Sequence, residues 1–152
     1  MKTGNLISIY ITPAAGQPMQ AVEMVHAVPG RGLEGDRHFL QSDQSHPDRQ
    51  VTLIEIEALE ALEQEHGIAL QPDEARRNLL THGVSLNNLV NRIFQVGEVK
   101  LRGLRLCEPC DYLAKRTQPG VLKGLVHRAG LRAEILSDGM LRIGDVISIP
   151  EG

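Results

Sequence analysis

The chain contains 152 residues with a formal net charge of −3, 3% aromatic residues and no tryptophan. This length predicts a single domain over residues 1–152, with a core built mainly from Leu, Ile and Val. No apolar run reaches the roughly 18 residues of a membrane helix, and the N-terminus lacks a secretion-signal pattern. With two close cysteines and few aromatic side chains for stacking on bases, we expect a cytoplasmic protein that binds neither membranes nor nucleic acid.

The basic residues are concentrated in the second half of the chain. Residues 1–75 carry 4 Lys and Arg against 12 Asp and Glu, whereas residues 76–152 carry 12 against 7. A small anionic ligand would favour such a basic half. Solvated outward positions of strands explain the same excess equally well, so both interpretations stay open.

Short apolar segments separated by turn residues predict many strands and few helices. The clearest helix is Glu55 to His66, because its apolar residues form one stripe and Gly67 is placed to end it. Asp138-Gly139 predicts a hairpin turn, and a slip of the apolar alternation at Gly103 predicts a β-bulge. This pattern favours a mainly β fold, a closed or nearly closed β-barrel with a few peripheral α-helices. The main strands are expected at residues 6–11, 21–28, 50–54, 99–106 and 131–136, with further strands between 140 and 149.

Residues 30–35 spell G-x-G-x-x-G, the pattern of a dinucleotide-binding turn. That fingerprint requires a helix to begin at the glycines, and no amphipathic helix follows them here, so we reject a nucleotide site. The glycines instead allow a loop to approach other backbone closely and to present Asp36, Arg37 and His38. An exposed polar turn is the alternative interpretation.

Two further polar segments contain candidate ligand contacts. Arg77 and Asn78 precede an apolar strand, and a guanidinium fork beside an amide suits a phosphorylated heterocycle. His127 and Arg128 lie in a second polar loop that contains glycine. The alternative for the first segment is that Arg76 and Arg77 are merely solvated, and the alternative for the second is a surface loop without a ligand.

Cys107 and Cys110 are the only cysteines, and they lie where a predicted strand meets a predicted short helix at 111–116. The N-terminus of a helix favours a thiolate, although Glu108 opposes this effect. A redox dithiol and a pair of buried apolar residues both remain open. We do not expect a zinc site, because no two histidines have the spacing of a Cys2His2 site.

Seven motifs in this order resemble the MOSC domain, the C-terminal domain of molybdenum cofactor sulfurases, in a small stand-alone form. The resemblance covers nearly the whole chain. The motifs are Gly-Leu-Glu-Gly-Asp-Arg-His at 32–38, Arg-Gln-Val-Thr-Leu-Ile at 49–54, Arg-Arg-Asn-Leu-Leu at 76–80, Phe-Gln-Val-Gly-Glu-Val-Lys-Leu-Arg-Gly at 94–103, Cys-Glu-Pro-Cys at 107–110, His-Arg-Ala-Gly-Leu-Arg-Ala at 127–133 and Gly-Asp-Val-Ile at 144–147.

The resemblance implies a MOSC β-barrel, similar to the pyruvate kinase barrel, that binds the molybdenum cofactor through its molybdopterin. The family cysteine that ligates molybdenum or holds a persulfide matches Cys110, which is thereby the implied catalytic residue and metal ligand. The family's cofactor-contacting Arg and Asn match Arg77 and Asn78. Arg37 and Arg128 lie in motifs that resemble loops of the cofactor pocket.

Two activities follow from the resemblance. The first is reduction of N-hydroxylated or N-oxide compounds with electrons from a separate electron-transfer protein. The second is a non-catalytic sulfur carrier, in which Cys110 receives a persulfide from a cysteine desulfurase. The sequence contains no desulfurase domain, so pyridoxal phosphate is expected only in that partner. A dithiol function with Cys107 as the resolving thiol is a third and weaker possibility.

Overall fold

The computed structural model describes residues 2–14, 16–39, 49–107 and 128–150. Within these ranges the chain forms strands, one α-helix and a 3₁₀ helix at Leu86–Leu89. The elements are β1 (Lys2–Ile11), β2 (Gln20–Val22), β3 (Met24–Val28), β4 (Gly32–Leu33), β5 (Val51–Glu55), α1 (Ile56–His66), β6 (Leu79–His82), β7 (Ile93–Val96), β8 (Val99–Leu106), β9 (Leu131–Ile135), β10 (Gly139–Arg142) and β11 (Val146–Ile149).

Seven strands close into a barrel, which confirms the predicted fold class. Their order is β11-β7-β8-β9-β5-β6-β1, and pairing of β1 with β11 closes the ring. Only β5 and β6 among these pairs run parallel. Strand β2 continues the sheet beyond β1, while β10, β3 and β4 form a separate small sheet. No helix in the described ranges combines the length and apolar character needed to cross a bilayer.

The barrel encloses the larger of two apolar clusters. Leu6, Leu53 and Phe94 are almost completely buried in it, so alternate side chains of the strands fill the interior. The second cluster lies between α1 and the outer faces of β5 and β6, where Leu59 and Leu62 pack. Removing this apolar stripe from water is what holds α1 on the barrel.

The predicted ends of α1 agree with the structure within one residue. The helix begins at Ile56, and Gly67 ends it in the left-handed region at φ 67°. The Gly67 N–H donates to the Glu63 carbonyl oxygen at 2.9 Å, which satisfies one of the last helical carbonyls.

The predicted bulge at Gly103 is also confirmed. The register between β8 and β9 shifts between Gly103 and Arg105. A Cβ at Gly103 would overlap the carbonyl oxygen of Leu89, at the end of the 3₁₀ helix. The missing side chain therefore lets this helix pack directly against the barrel wall.

Two local expectations need correction. The Asp138-Gly139 hairpin is wrong, because β10 pairs with β3 rather than with β9, its neighbour in sequence. The single strand expected at 21–28 is divided at Glu23 into β2 and β3, which belong to different sheets. The short helix expected at 111–116 lies outside the described residues.

An ionic contact in the small sheet connects β3 with the residue after β4 and the residue before β10. His26 on β3 contacts the Glu34 carboxylate through Nδ1 at 3.0 Å and the Asp138 carboxylate through Nε2 at 2.9 Å. Only the doubly protonated imidazolium can donate from both ring nitrogens. The hydrogen bonds to Asp138 and then to Glu34 accordingly raise the pKa of His26 above 6.5.

We predict that His26→Gln lowers stability most at acidic pH. The contribution of His26 is complete below its unfolded-state pKa of about 6.5 and is lost as the pH rises through its higher folded-state pKa. Because the contact is exposed to solvent, the maximum loss is at most about 1 kcal/mol. Urea unfolding of the wild type and of His26→Gln at pH 5.5 and pH 9 measures the difference in their free energies of unfolding. The same comparison in a Glu34→Gln/Asp138→Asn background should show no pH dependence; if the dependence persists there, the contact is not its cause.

We predict that Gly103→Ala destabilises the barrel by about 3 kcal/mol, because the backbone of Leu89 must move to admit the methyl group. Gly139→Ala is the matched control. Its Cβ would lie 2.8 Å from Oε2 of Glu98, the end of an exposed side chain that can turn away, and 3.1 Å from a methyl group of Val99. Chemical denaturation should show a clearly larger loss for Gly103→Ala, and equal losses would contradict the packing argument.

Candidate functional site

A polar cleft lies where the end of β1 meets the beginnings of β5 and β6. These positions coincide because β6 runs antiparallel to β1 and parallel to β5. The described residues enclose a cavity of about 180 Å³ at this end of the barrel. Its lining residues are Thr12, Met19, Asp36, Arg37, His38, Arg49, Thr52, Arg76, Arg77, Asn78 and Arg132.

The cleft is strongly cationic. Five of its lining side chains are arginines, and Asp36 is the one acidic side chain among the described residues that line it. The arginines come from four places in the fold: the loop after β4, the segment before β5, the segment before β6, and β9. Like charges gathered in this way repel one another and favour an anionic ligand between them.

Asp36 fixes the loop that carries Arg37 and His38. Its buried carboxylate accepts the N–H of Thr12 at 3.0 Å through Oδ1 and the N–H of His38 at 3.4 Å through Oδ2. The N–H of Arg37 in turn donates to the Thr12 carbonyl oxygen at 2.7 Å. The Asp36 carboxylate is thus directed at backbone N–H groups, and it anchors the loop to the end of β1.

The segment before β6 contributes two arginines through a strained turn. Arg76 has φ 59°, a left-handed conformation that is uncommon for residues other than glycine. Arg76 donates through Nη1 to the Gln17 carbonyl oxygen at 2.9 Å. Arg77 donates through Nε to the Ala129 carbonyl oxygen at 2.8 Å, which fixes the direction of its guanidinium.

Asn78 holds the strands together beneath the cleft. Its Oδ1 accepts both the N–H and the hydroxyl of Thr52 at 3.1 Å, and its Nδ2 donates to the Tyr10 carbonyl oxygen at 3.0 Å. The residue is only 7% exposed, so most of its amide is committed to these contacts. Its predicted contact with a cofactor stays a prediction, whereas its role in joining β1 to β5 is visible directly.

Arg128 lies apart from the other predicted residues. Its guanidinium pairs with Glu65 of α1 at 2.9 Å. It lines a second cavity together with Glu55, Glu57 and Ser85, rather than the cationic cleft. The structure thus brings Arg37, Arg77 and Asn78 together and leaves Arg128 outside their cavity, and the expected cofactor contact of Arg128 stays a prediction.

Of the two cysteines, only Cys107 can be described. It is 2% exposed, and its N–H donates to the Gly130 carbonyl oxygen at 2.8 Å. This burial fits the interpretation of Cys107 as a small apolar residue. Cys110, the predicted catalytic residue and metal ligand, lies outside the described residues, as does His127.

Hydrogen bonds of the described residues that flank the segment 108–127 connect Cys107 with an arginine of the cleft. Cys107 precedes this segment and bonds to Gly130, while the neighbouring Ala129 accepts the hydrogen bond from Arg77. A chain of two contacts therefore links Cys107 to a lining arginine. Among the described residues, no group of three His, Cys, Asp or Glu side chains is arranged to hold a metal ion.

Sequence reasoning missed Arg49 and Arg132 as cleft residues. Arg49 lies two residues before β5, and Arg132 enters the cleft because it pairs with Thr52 across β5 and β9. Both belong to motifs of the family resemblance, which was the one available signal. His38, which the sequence analysis named as a residue presented by its loop, does line the cleft. Burial, and then the positive charge of Arg37, lower the pKa of His38 from 6.5.

Comparison with known proteins gives a family and a fold. A family model described as the MOSC domain matches residues 35–148. The YuaD protein from Bacillus subtilis is 17% identical with a TM-score of 0.81, and the alignment covers 97% of both chains. YiiM from Geobacillus stearothermophilus is 16% identical with a TM-score of 0.76, covering 97% of this chain and 75% of that one.

YiiM from Escherichia coli shares the fold as well, with 18% identity, a TM-score of 0.72 and coverage of 97% and 70%. A search of curated proteins gives no match. At these identities the solved structures establish the fold alone, whereas the family model spans most of the chain. On the closed barrel and the match over residues 35–148, the chain belongs to the MOSC domain family.

Proposed function

We propose that the cationic cleft binds the phosphate-bearing pterin of a molybdenum cofactor. The observation that carries the proposal is the gathering of five arginines around one cavity whose single described carboxylate bonds to backbone. A guanidinium pairs with a phosphate through two parallel hydrogen bonds, and several of them neutralise a dianion. The membership of the MOSC family supports this choice of ligand over other phosphates.

The donor set of the cleft fits the anionic end of such a ligand. A cavity of about 180 Å³ is smaller than the roughly 300 Å³ at which small-molecule pockets begin, so it would hold a phosphate and part of a pterin. Arg37, Arg49 and Arg132 would contact the phosphate oxygens. Thr12 and Thr52 also line the cavity, and Asn78 fixes the strand ends on which they lie.

Cys110 is the proposed ligand of the molybdenum. A thiolate is a soft ligand that suits thiophilic metals, and it also forms persulfides. The segment that carries Cys110 departs from Cys107 and returns at Arg128, and the contacts of Gly130 and Ala129 tie this region to Arg77. This arrangement favours a cysteine and an anion site that serve the same cofactor.

When bound, the cofactor would supply two-electron oxygen-transfer chemistry at its metal. The proposed activity is reduction of N-hydroxylated or N-oxide compounds, with electrons from a separate electron-transfer protein. The chain's own residues bind and orient the cofactor: the arginines neutralise its phosphate, and Asp36 and Asn78 hold the loops that present them. A sulfur carrier acting through Cys110 is distinguished from this activity by the second experiment below.

We predict that Arg37→Gln/Arg49→Gln weakens cofactor retention at least about tenfold, since each charge-assisted hydrogen bond contributes about 1.5–3 kcal/mol. Protein purified from a host that makes the cofactor is assayed for pterin and molybdenum per chain. Arg102→Gln/Arg142→Gln removes the same charge from exposed arginines that pair with Glu134 and Glu98 outside the cleft. The proposal requires retention in the wild type and the control, and it fails if both double variants lose the cofactor equally.

We predict that Cys110→Ala keeps the pterin but loses a thiolate ligand, which alters the X-ray absorption edge of molybdenum, whereas Cys107→Ala keeps that edge. Incubation with a cysteine desulfurase tests the alternative. A cyanolysable sulfur that disappears in Cys110→Ala, in a protein without molybdenum, would indicate the sulfur carrier. An unchanged edge in Cys110→Ala would contradict the proposed ligand.

A further inference from the structure

His38 is the one lining residue of the cleft, among those described, that can change its charge near neutral pH. It follows Arg37 on the loop anchored by Asp36, and the side chain is about half-buried. The cleft therefore contains five permanent cations and one group whose charge depends on pH. This rests on the proposed function, because the occupant is taken to be an anion.

The charged groups that face His38 come from every described element around it. Asp36 and Arg37 belong to its own loop, and Arg49 and Arg132 approach from the start of β5 and from β9. Arg76 and Arg77 line the same cavity from the segment before β6. Loss of water, and then the positive charges of Arg37, Arg49 and Arg132, oppose protonation of the imidazole, and the Asp36 carboxylate offsets part of this effect.

We propose that His38 takes up one proton from solvent when a dianion enters the cleft, and so becomes a sixth cation that contacts the ligand. A dianion placed among the arginines cancels the repulsion that keeps the imidazole neutral, and it offers an acceptor to the new N–H. Without a ligand, His38 stays neutral and adds no sixth positive charge to the cleft. In the complex it is protonated, because the charge of the dianion compensates the added positive charge.

The consequence is an affinity that depends on pH in a defined direction. The imidazole of the free protein is neutral at pH 7, because burial and Arg37 lower its pKa below 6.5. In the complex the pKa is higher. Affinity therefore falls as the pH rises from the free-state pKa to the complex-state pKa, and it is level outside that interval. Each unit of difference between the two values corresponds to about tenfold in affinity.

Sulfate is the probe, because it carries two charges throughout this range and any pH dependence belongs to the protein. Binding is measured by calorimetry between pH 5 and pH 9, in buffers with different ionisation enthalpies, so that proton uptake is counted directly. We expect uptake near pH 7 and a decrease in affinity of about tenfold up to pH 9. His38→Gln should bind like the wild type at pH 9, with no uptake and no pH dependence.

His26→Gln is the matched control, because His26 lies on β3 in contact with Glu34 and Asp138 and does not line the cleft. This variant should keep both the proton uptake and the pH dependence. The histidine ring resonances in NMR report the His38 pKa with and without sulfate, and they identify the group that titrates.

The results of these binding experiments distinguish failure of the proposed role of His38 from failure of the proposed anion site. Sulfate binding that needs Arg37 and Arg49 but takes up no proton would overturn the role of His38 and leave the anion site intact. Proton uptake that persists in His38→Gln would likewise overturn it. Absence of sulfate binding at every pH would overturn the anion site itself.

Discussion

The cationic cleft depends on holding five arginines close together against their mutual repulsion. A flexible chain would separate them, so the free energy that opposes the repulsion comes from the packing of the barrel. Each arginine is attached to an element that is fixed by other contacts. Arg77 bonds to the Ala129 carbonyl oxygen, and Arg132 lies in the ladder between β5 and β9. The cleft is thus assembled before any ligand arrives, which lowers the cost of ordering on binding.

Two polar side chains carry most of this positioning. Asp36 and Asn78 are both nearly buried, and each bonds to backbone at the end of β1, which is remote from it in sequence. Burying such groups is costly unless their hydrogen bonds are satisfied, and here the bonds themselves define the geometry of the loops. A site of this kind combines rigid buried polar anchors with charged side chains that face the ligand.

The strand-rich fold and several local features follow from the sequence because they depend on local patterns. The bulge at Gly103 and the end of α1 at Gly67 are of this type. The supposed hairpin at Asp138-Gly139 failed because a turn-forming pair of residues does not specify which strand comes next to it. Here the partner of β10 is β3, and His26 meets Asp138 across 112 positions of the chain.

The candidate site shows the same distinction between residues that local patterns predict and residues that only the strand pairing can place. Arg37 and Arg77 were found from the chemistry of their loops, and they do share a cavity. Arg49 and Arg132 could not be placed without the register across β5 and β9. Arg128 and Arg132 lie close in sequence, yet they line different cavities. Between them Gly130, at φ 115°, passes so close to the backbone of Leu53 that no side chain would fit.

The most direct test of the account is an experimental structure of the protein purified with its cofactor. In that structure we expect the phosphate group between Arg37, Arg49 and Arg132, at the end of the barrel where β1 meets β5 and β6. A phosphate bound elsewhere, for instance in the cavity lined by Glu55, Glu57 and Arg128, would contradict it.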